Sequence, residues 1–208
     1  LGWYGLNRLK KYELAKMFLT GMSLWFYGYF NTYYLLIIVG SILINYLISY
    51  LMTFSKSRLT DRIGLFAGIG VNLAILFYFK YYDFFIENIN YIFRADFNLK
   101  HILLPLGISF FTFQQLSFII DRCTGKAEHY SFTNYTAFVT FFPQLIAGPI
   151  VLYKEIIPQF DDLNNRKFDM DSFAKGISLF VIGLGKKVLL ADVLALVTNF
   201  GFEQTYFL

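Results

Sequence analysis

Cysteine is almost missing from this 208-residue chain: Cys123 is the single one, which excludes an internal disulfide. It is either inert filler or a juxtamembrane acylation site. Histidine is nearly as scarce, with only His101 and His129, so no Cys/His cluster stands at metal-ligand spacing and no metal is expected. Carboxylate pairs placed for general acid–base work are absent. So are phosphate-cradling loops, because Gly183-Leu184-Gly185-Lys186-Lys187 lacks the spacing and the following Ser or Thr of a P-loop. No signal-peptide pattern opens the chain, which begins at Leu1 and reads as an internal piece of a longer protein. Charged residues are sparse at 15%. The 18 basic and 14 acidic side chains sit in short clusters rather than on one face, which speaks against nucleic acid as a partner.

Apolar residues fill the space: 57% are hydrophobic and 21% aromatic, including 26 Phe and 16 Tyr, with a mean hydropathy of +0.51. These values exceed those of soluble domains and predict an all-α, polytopic integral membrane protein in contact with lipid. Ala15–Phe30 and Tyr33–Met52 read as a hairpin of spans broken at Asn31-Thr32, and Ile63–Tyr82 as a third span ending in Lys80 and paired tyrosines at the interface. Asp83–Lys100 reads as an amphipathic connector lying in the interface. Ile102–Ile120 is a fourth span whose Pro105 kinks the helix or delays its start. Tyr135–Ile150 reads as a broken or re-entrant element, Lys154–Asp171 as a polar cytosolic stretch, and Phe173–Phe200 as one bent helix or two short ones. Loop basicity places Arg8, Lys10, Lys11, Lys16, Lys56, Arg58, Arg62, Arg122 and Lys126 in the cytosol and Asp83–Lys100 outside.

Polar and backbone-breaking residues inside these apolar runs are the functional signal, since an unsatisfied polar group in hydrocarbon costs several kcal/mol. Gln114 and Gln115 either line a funnel or hydrogen-bond between helices. Pro143, Gln144, Gly148 and Pro149 put two prolines and a glycine at membrane depth, which favours the wall of a protein-lined cavity. Lys186 and Lys187 either meet donor phosphates from the cytosol or snorkel. Asp192, five residues beyond Lys187, is placed to neutralise one of them. Asp121-Arg122 reads as a charge pair at a helix end. His101 opens the fourth span at the outer interface, and His129 follows a polar turn.

Three segments in order, HILLPLGISFFTFQQLSFIIDRCTG, FVTFFPQLIAGPI and FVIGLGKKVLLAD, resemble the membrane-bound O-acyltransferase family in its bacterial alginate O-acetyltransferase branch. The resemblance runs from about Lys10 onward. It implies a multi-pass protein of the bacterial cytoplasmic membrane, with residues 1–208 as one incomplete transmembrane domain and two funnels meeting in the bilayer. Acetyl, with acetyl-CoA as the donor, would pass to an acceptor outside through a periplasmic or extracellular acetyltransferase partner, with membrane lipids around it. The acceptor would be alginate, peptidoglycan or another surface polysaccharide. Teichoic acid D-alanyl transfer is a related alternative, and a transporter or flippase with broken helices is the alternative from another class, although no inverted repeat supports it. The family's catalytic histidine follows the GLGKKVLLAD-like segment beside a Trp. No residue here matches it, so no catalytic residue is assigned, and neither His101 nor His129 takes that role.

Overall fold

In the computed structural model, residues 2–54, 57–125, 131–145, 148, 151–196 and 198 are described. They form helices and connecting segments, with no strand among them. The chain divides into two compact units, Leu1–Arg166 and Lys167–Leu208.

The first unit opens with a short helix that sequence reasoning missed, α1 (Gly2–Arg8). Helices α2 (Tyr12–Phe30) and α3 (Thr32–Phe54) follow as an antiparallel hairpin. A single extended residue, Asn31, separates them, and its side-chain oxygen accepts the Tyr33 N–H. Ser57 then caps α4 (Arg58–Leu76) by accepting the Leu59 N–H.

Beyond α4 the structure departs from expectation. The helix does not end at Tyr82 in an interfacial connector. A π turn over Phe77–Tyr81 leads directly into α5 (Tyr82–Phe93), making one 36-residue helix from Arg58 to Phe93. A π turn accommodates one extra residue without breaking the backbone ladder, so the change of apolar face near Tyr82 rotates the helix instead of terminating it. Termination comes at Arg94, whose φ of 51° is left-handed. Residues 94–107 are not helical. Asp83 holds the start of their return by accepting the Lys100 and Ile102 N–H groups at 2.8 and 3.3 Å. Asn90 both accepts the N–H of Phe97 and donates to its carbonyl, each at 2.9 Å. Thr32–Phe54 and Arg58–Phe93 are the two described helices long and apolar enough to cross a membrane.

The fourth apolar segment starts late as a helix. Pro105 lacks the N–H an α-helix needs, Gly107 is left-handed at φ +69°, and α6 runs only from Ile108 to Cys123. The next segment is broken: α7 (Phe132–Thr140) stops at Phe141, and α8 (Phe142–Leu145) is a single turn. Beyond it Gly148 is described, whereas residues 146–147 and 149–150 lie outside the described residues, as does His129.

Over the polar stretch Lys154–Asp171, whose secondary structure the sequence left open, the chain forms α9 (Tyr153–Asp161). Its Tyr153, Ile156, Ile157 and Phe160 recur at i, i+3, i+4 and i+7 and bury one face in the core, while Lys154, Glu155 and Gln159 occupy the other. The core they join includes Tyr27, Ile38, Ile42, Leu76, Phe111, Phe118, Ile119, Tyr135 and Phe138. Below it, the buried Lys16 ammonium meets Asp161 at 2.7 Å and Asn134 Oδ1 at 2.9 Å. Arg166 joins the same carboxylate at 2.9 Å, so α2, α7 and α9 are tied by a paired charge rather than an isolated one.

In the second unit, Asp169 caps α10 (Met170–Gly185) by accepting the Ser172 N–H at 2.8 Å. The Ser172 hydroxyl first, then this backbone bond, with Lys175 nearby, hold the Asp169 carboxyl below its usual pKa. The helix continues through a second π turn, Lys186–Ala191, into residues 192–196, so the described part of the Phe173–Phe200 run is one helix.

Candidate functional site

Two of the sequence motifs meet in space. The Pro105-Leu106-Gly107 turn is held by hydroxyls from the hairpin: Tyr27 donates to the Leu106 carbonyl at 2.8 Å and Tyr34 to that of Leu103 at 2.9 Å. Against the turn lies the end of the broken element. A Cβ built on Gly107 would stand 2.5 Å from the Leu145 carbonyl oxygen, so a bare α-carbon is required for the two backbones to approach. Leu145 is fully buried, and Gln144 beside it donates to the Phe138 carbonyl at 3.3 Å. Gly148 folds back so that its N–H reaches the Gln144 carbonyl at 3.1 Å, and a Cβ there would collide with the Gln144 backbone. Pro143 sits at the surface of the same turn. The structure thus brings Pro143, Gln144 and Gly148 together beside the start of α6. Pro149 lies outside the described residues.

Helix α6 carries both glutamines, on different faces. Gln115 points into the seam between α3 and α4, where it is fully buried. Its Oε1 accepts from Asn45 Nδ2, from the Ser41 hydroxyl at 3.1 Å and from the Tyr135 hydroxyl at 3.3 Å. Asn45 and Asn72 close the cluster: each donates an amide N–H to the other's side-chain oxygen. Asn72 also donates to the Gly68 carbonyl at 2.8 Å. The helices come this close because Gly68 presents no side chain. A Cβ there would stand 2.5 Å from Ile119 Cδ1. Gln115 therefore makes interhelical hydrogen bonds. Asn45 and Asn72, buried to 0% and 1% exposure, are polar residues that sequence reasoning passed over. Their signal was available: Ser41, Asn45 and Ser49 recur every four residues and mark one polar stripe on an otherwise apolar helix.

Gln114 shares its face with Phe111 and Phe118 at i−3 and i+4. Phe118 packs on the rings of Tyr135 and Tyr153 at 4.5 and 5.0 Å, so that face looks toward α7 and α9. Gln114 Oε1, Gln115 Nε2 and Thr112 Oγ1 are buried, with no hydrogen-bond partner among the described residues. Thr112 and Gln115 share one face of α6 and Gln114 lies on another, so Gln114 is the residue that presents an unpartnered acceptor on the face toward α7 and α9.

The remaining candidates fall on other elements of the chain. Lys187 and Asp192 pair at 2.8 Å in the second unit, because the π turn's five-residue register stacks them. Lys186 is exposed beside them. His101 is exposed in the non-helical return, at φ +47°. Arg122, closing α6, donates to the Thr53 hydroxyl at 3.0 Å. No described group of His, Cys, Asp and Glu is arranged to hold a metal.

Comparison with known proteins matches these features to relatives. A peptidoglycan O-acetyltransferase of Helicobacter pylori is 38% identical over 230 residues, covering 98% of this chain and 44% of that protein. A Pseudomonas putida protein named "Probable alginate O-acetylase AlgI" is 37% identical over 201 residues, covering 94% of this chain and 41% of its own length. A teichoic acid D-alanyltransferase of Streptococcus thermophilus is more distant, 25% identical over 88 residues, or 42% of this chain and 21% of that protein. The chain thus spans about two-fifths of the length of the curated acetyltransferases it matches. No solved structure matches it significantly. The family model described as MBOAT, membrane-bound O-acyltransferase family, aligns with residues 26–208, from the α2–α3 hairpin past the Gly107–Leu145 junction and the second π turn, and the chain belongs to that family.

Proposed function

We propose that this chain is part of an O-acetyltransferase that passes acetyl from a cytosolic donor, acetyl-CoA, across the cytoplasmic membrane for O-acetylation of a surface polysaccharide. The observation that carries this reading is the similarity, over nearly the whole chain, to relatives named for O-acetyl transfer to two different polysaccharides. What they share is the transferred group, and the acceptor differs. The weaker similarity to a D-alanyltransferase makes D-alanyl transfer the second reading. In the proposed enzyme, the Gly107–Leu145 junction and the buried Gln114 form part of the wall of the reaction funnel, and a histidine elsewhere in the protein is the catalytic base. A periplasmic acetyltransferase would receive the acetyl group. His101 and His129 take no part in the chemistry.

Deleting the gene in its native host tests the proposal. Base-labile ester acetate on peptidoglycan or exopolysaccharide is expected to fall to background and to return on complementation. Unchanged ester acetate on both polymers would overturn the reading, and loss of ester-linked D-alanine in its place would select the alternative.

Orientation has its own test. The continuous helix from Arg58 to Phe93 is long enough to carry Leu59 and Glu87, both exposed, to opposite faces of the membrane. Basic residues at Arg58 and Arg62 put the first end in the cytosol. In a Cys123→Ser background, Glu87→Cys is expected to react with an impermeant thiol reagent applied from outside, and Leu59→Cys only after permeabilisation. The reverse pattern would invert the topology.

A further inference from the structure

Between α1, α2, α8 and α9 lies an open cleft of about 400 Å³, walled by Trp3, Leu19, Phe141, Phe142, Pro143 and Phe160, with Gln159 and Asn165 as its polar lining. Its size falls in the roughly 300–1,000 Å³ range of small-ligand sites. The polar end adjoins a basic segment: Arg166, next to Asn165, stacks its guanidinium 4.3 Å from the ring of Tyr12, the residue after Lys11. Arg8 stands five residues beyond Trp3 on α1, roughly 7.5 Å along the axis at 1.5 Å per residue. Arg8, Lys10 and Lys11 are exposed and form no ion pair among the described residues, whereas Lys16 and Arg166 share Asp161. On the Trp3 face of α1, Asn7 is 6% exposed. Its Nδ2 donates to the Trp3 carbonyl at 2.9 Å, and its buried Oδ1 has no hydrogen-bond partner among the described residues. Beside α1, Leu14, Met17 and Phe18 of α2 continue the apolar surface outward.

An aromatic cleft that opens sideways, with three exposed cations beyond it along α1 and the start of α2, reproduces in order the chemistry of acyl chain and phosphate. We propose that this cleft is a binding site for one anionic glycerophospholipid of the cytosolic leaflet. The acyl chain lies against Trp3, Phe142 and Phe160, and the phosphate among Arg8, Lys10 and Lys11. Free inorganic phosphate fits the cations equally but leaves the aromatic cleft without an occupant, which decides for the lipid. The cleft lining includes neither Gln114 nor the Gly107–Leu145 contact, and the site does not depend on which acyl group the enzyme transfers. By filling the cleft at Phe141–Pro143, the lipid would brace the outer side of the broken element.

Trp3 is itself the reporter, since the chain has two tryptophans and Trp25, 65% exposed, is removable as Trp25→Phe. In phosphatidylcholine vesicles carrying the reconstituted chain, brominated phosphatidylglycerol is expected to quench Trp3 with an apparent affinity at least about fivefold that of brominated phosphatidylcholine, the factor expected from a single Lys or Arg contact. Combined Arg8→Gln, Lys10→Gln and Lys11→Gln substitutions should remove the preference with helicity unchanged. Native mass spectrometry of the detergent-purified protein should show retained phosphatidylglycerol that the triple variant loses. Equal quenching by both lipids, a preference that survives the triple substitution, or no quenching by either would overturn the proposal, the last because another occupant fills the cleft.

Discussion

Gly107→Ala is expected to be among the most damaging single-methyl changes in the chain. Two effects add at this position. A side chain in the left-handed region costs about 1–2 kcal/mol, and the new Cβ would stand 2.5 Å from the Leu145 carbonyl oxygen, where a backbone rather than a flexible side-chain end must move. Displacement of that kind costs about 1–3 kcal/mol. Gly125→Ala separates the two effects, because Gly125 has an equally left-handed φ of +75° with open space around it. Chemical unfolding in detergent micelles should show Gly125→Ala losing only the conformational part, about 1–2 kcal/mol, and Gly107→Ala losing about twice as much. Acetylation supported by the gene in its host should drop with Gly107→Ala and persist with Gly125→Ala. Equal destabilisation by the two would mean that the contact between the Pro-Gly turn and the broken element is unimportant.

Cutting the amide cluster should have the next largest effect. Interhelical hydrogen bonds in membranes average about 0.6 kcal/mol and reach about 1.7, but removing one partner from a fully buried pair also strands the other, at about 1–3 kcal/mol. Asn72→Ala removes the donor to Asn45 Oδ1 and the acceptor of Asn45 Nδ2 together. With Asn45 fully buried, water cannot replace them easily, so the stranding cost dominates. Asn72→Ala and Asn45→Ala are each expected to cost about 1–3 kcal/mol, and the double variant to cost less than their sum by at least about 0.5 kcal/mol, the lower end of coupling between contacting residues. An additive double variant would show that the two amides act independently and that the seam is held by Gly68 against Ile119.

The membrane character, the all-helical class, the α2–α3 hairpin and the broken segment after α7 were legible in the sequence. Each rests on a local property: apolar length, or a proline that removes an N–H. The family was legible for a different reason, because Pro105-Leu106-Gly107, Gln114-Gln115 and Phe142-Pro143-Gln144 form an ordered signature that polarity alone does not require. Helix α9 was missed because its charged residues dominate an average over Lys154–Asp171, whereas the four residues it buries recur with helical spacing. The π turn at Phe77–Tyr81 was missed because a shift of apolar face reads equally as a helix end or as one inserted residue. Gln115 was open between two readings, since a glutamine's partners are a property of the neighbouring helices.

The chain by itself thus determined the all-helical, membrane-bound class and that the backbone leaves helical geometry at Pro105 and after α7, because hydropathy and the missing N–H of proline act over a few residues. Only the tertiary structure decided that the Gly107 turn rests on Leu145, that Asn45, Asn72 and Gln115 close one cluster, and that Trp3 shares a cleft with Phe142 and Phe160. These contacts join residues 27 to 157 positions apart in the chain. Their formation depends on how closely α4 and α6 approach at Gly68 and on how α1 and α9 flank the broken element, distances that no local pattern of residues encodes.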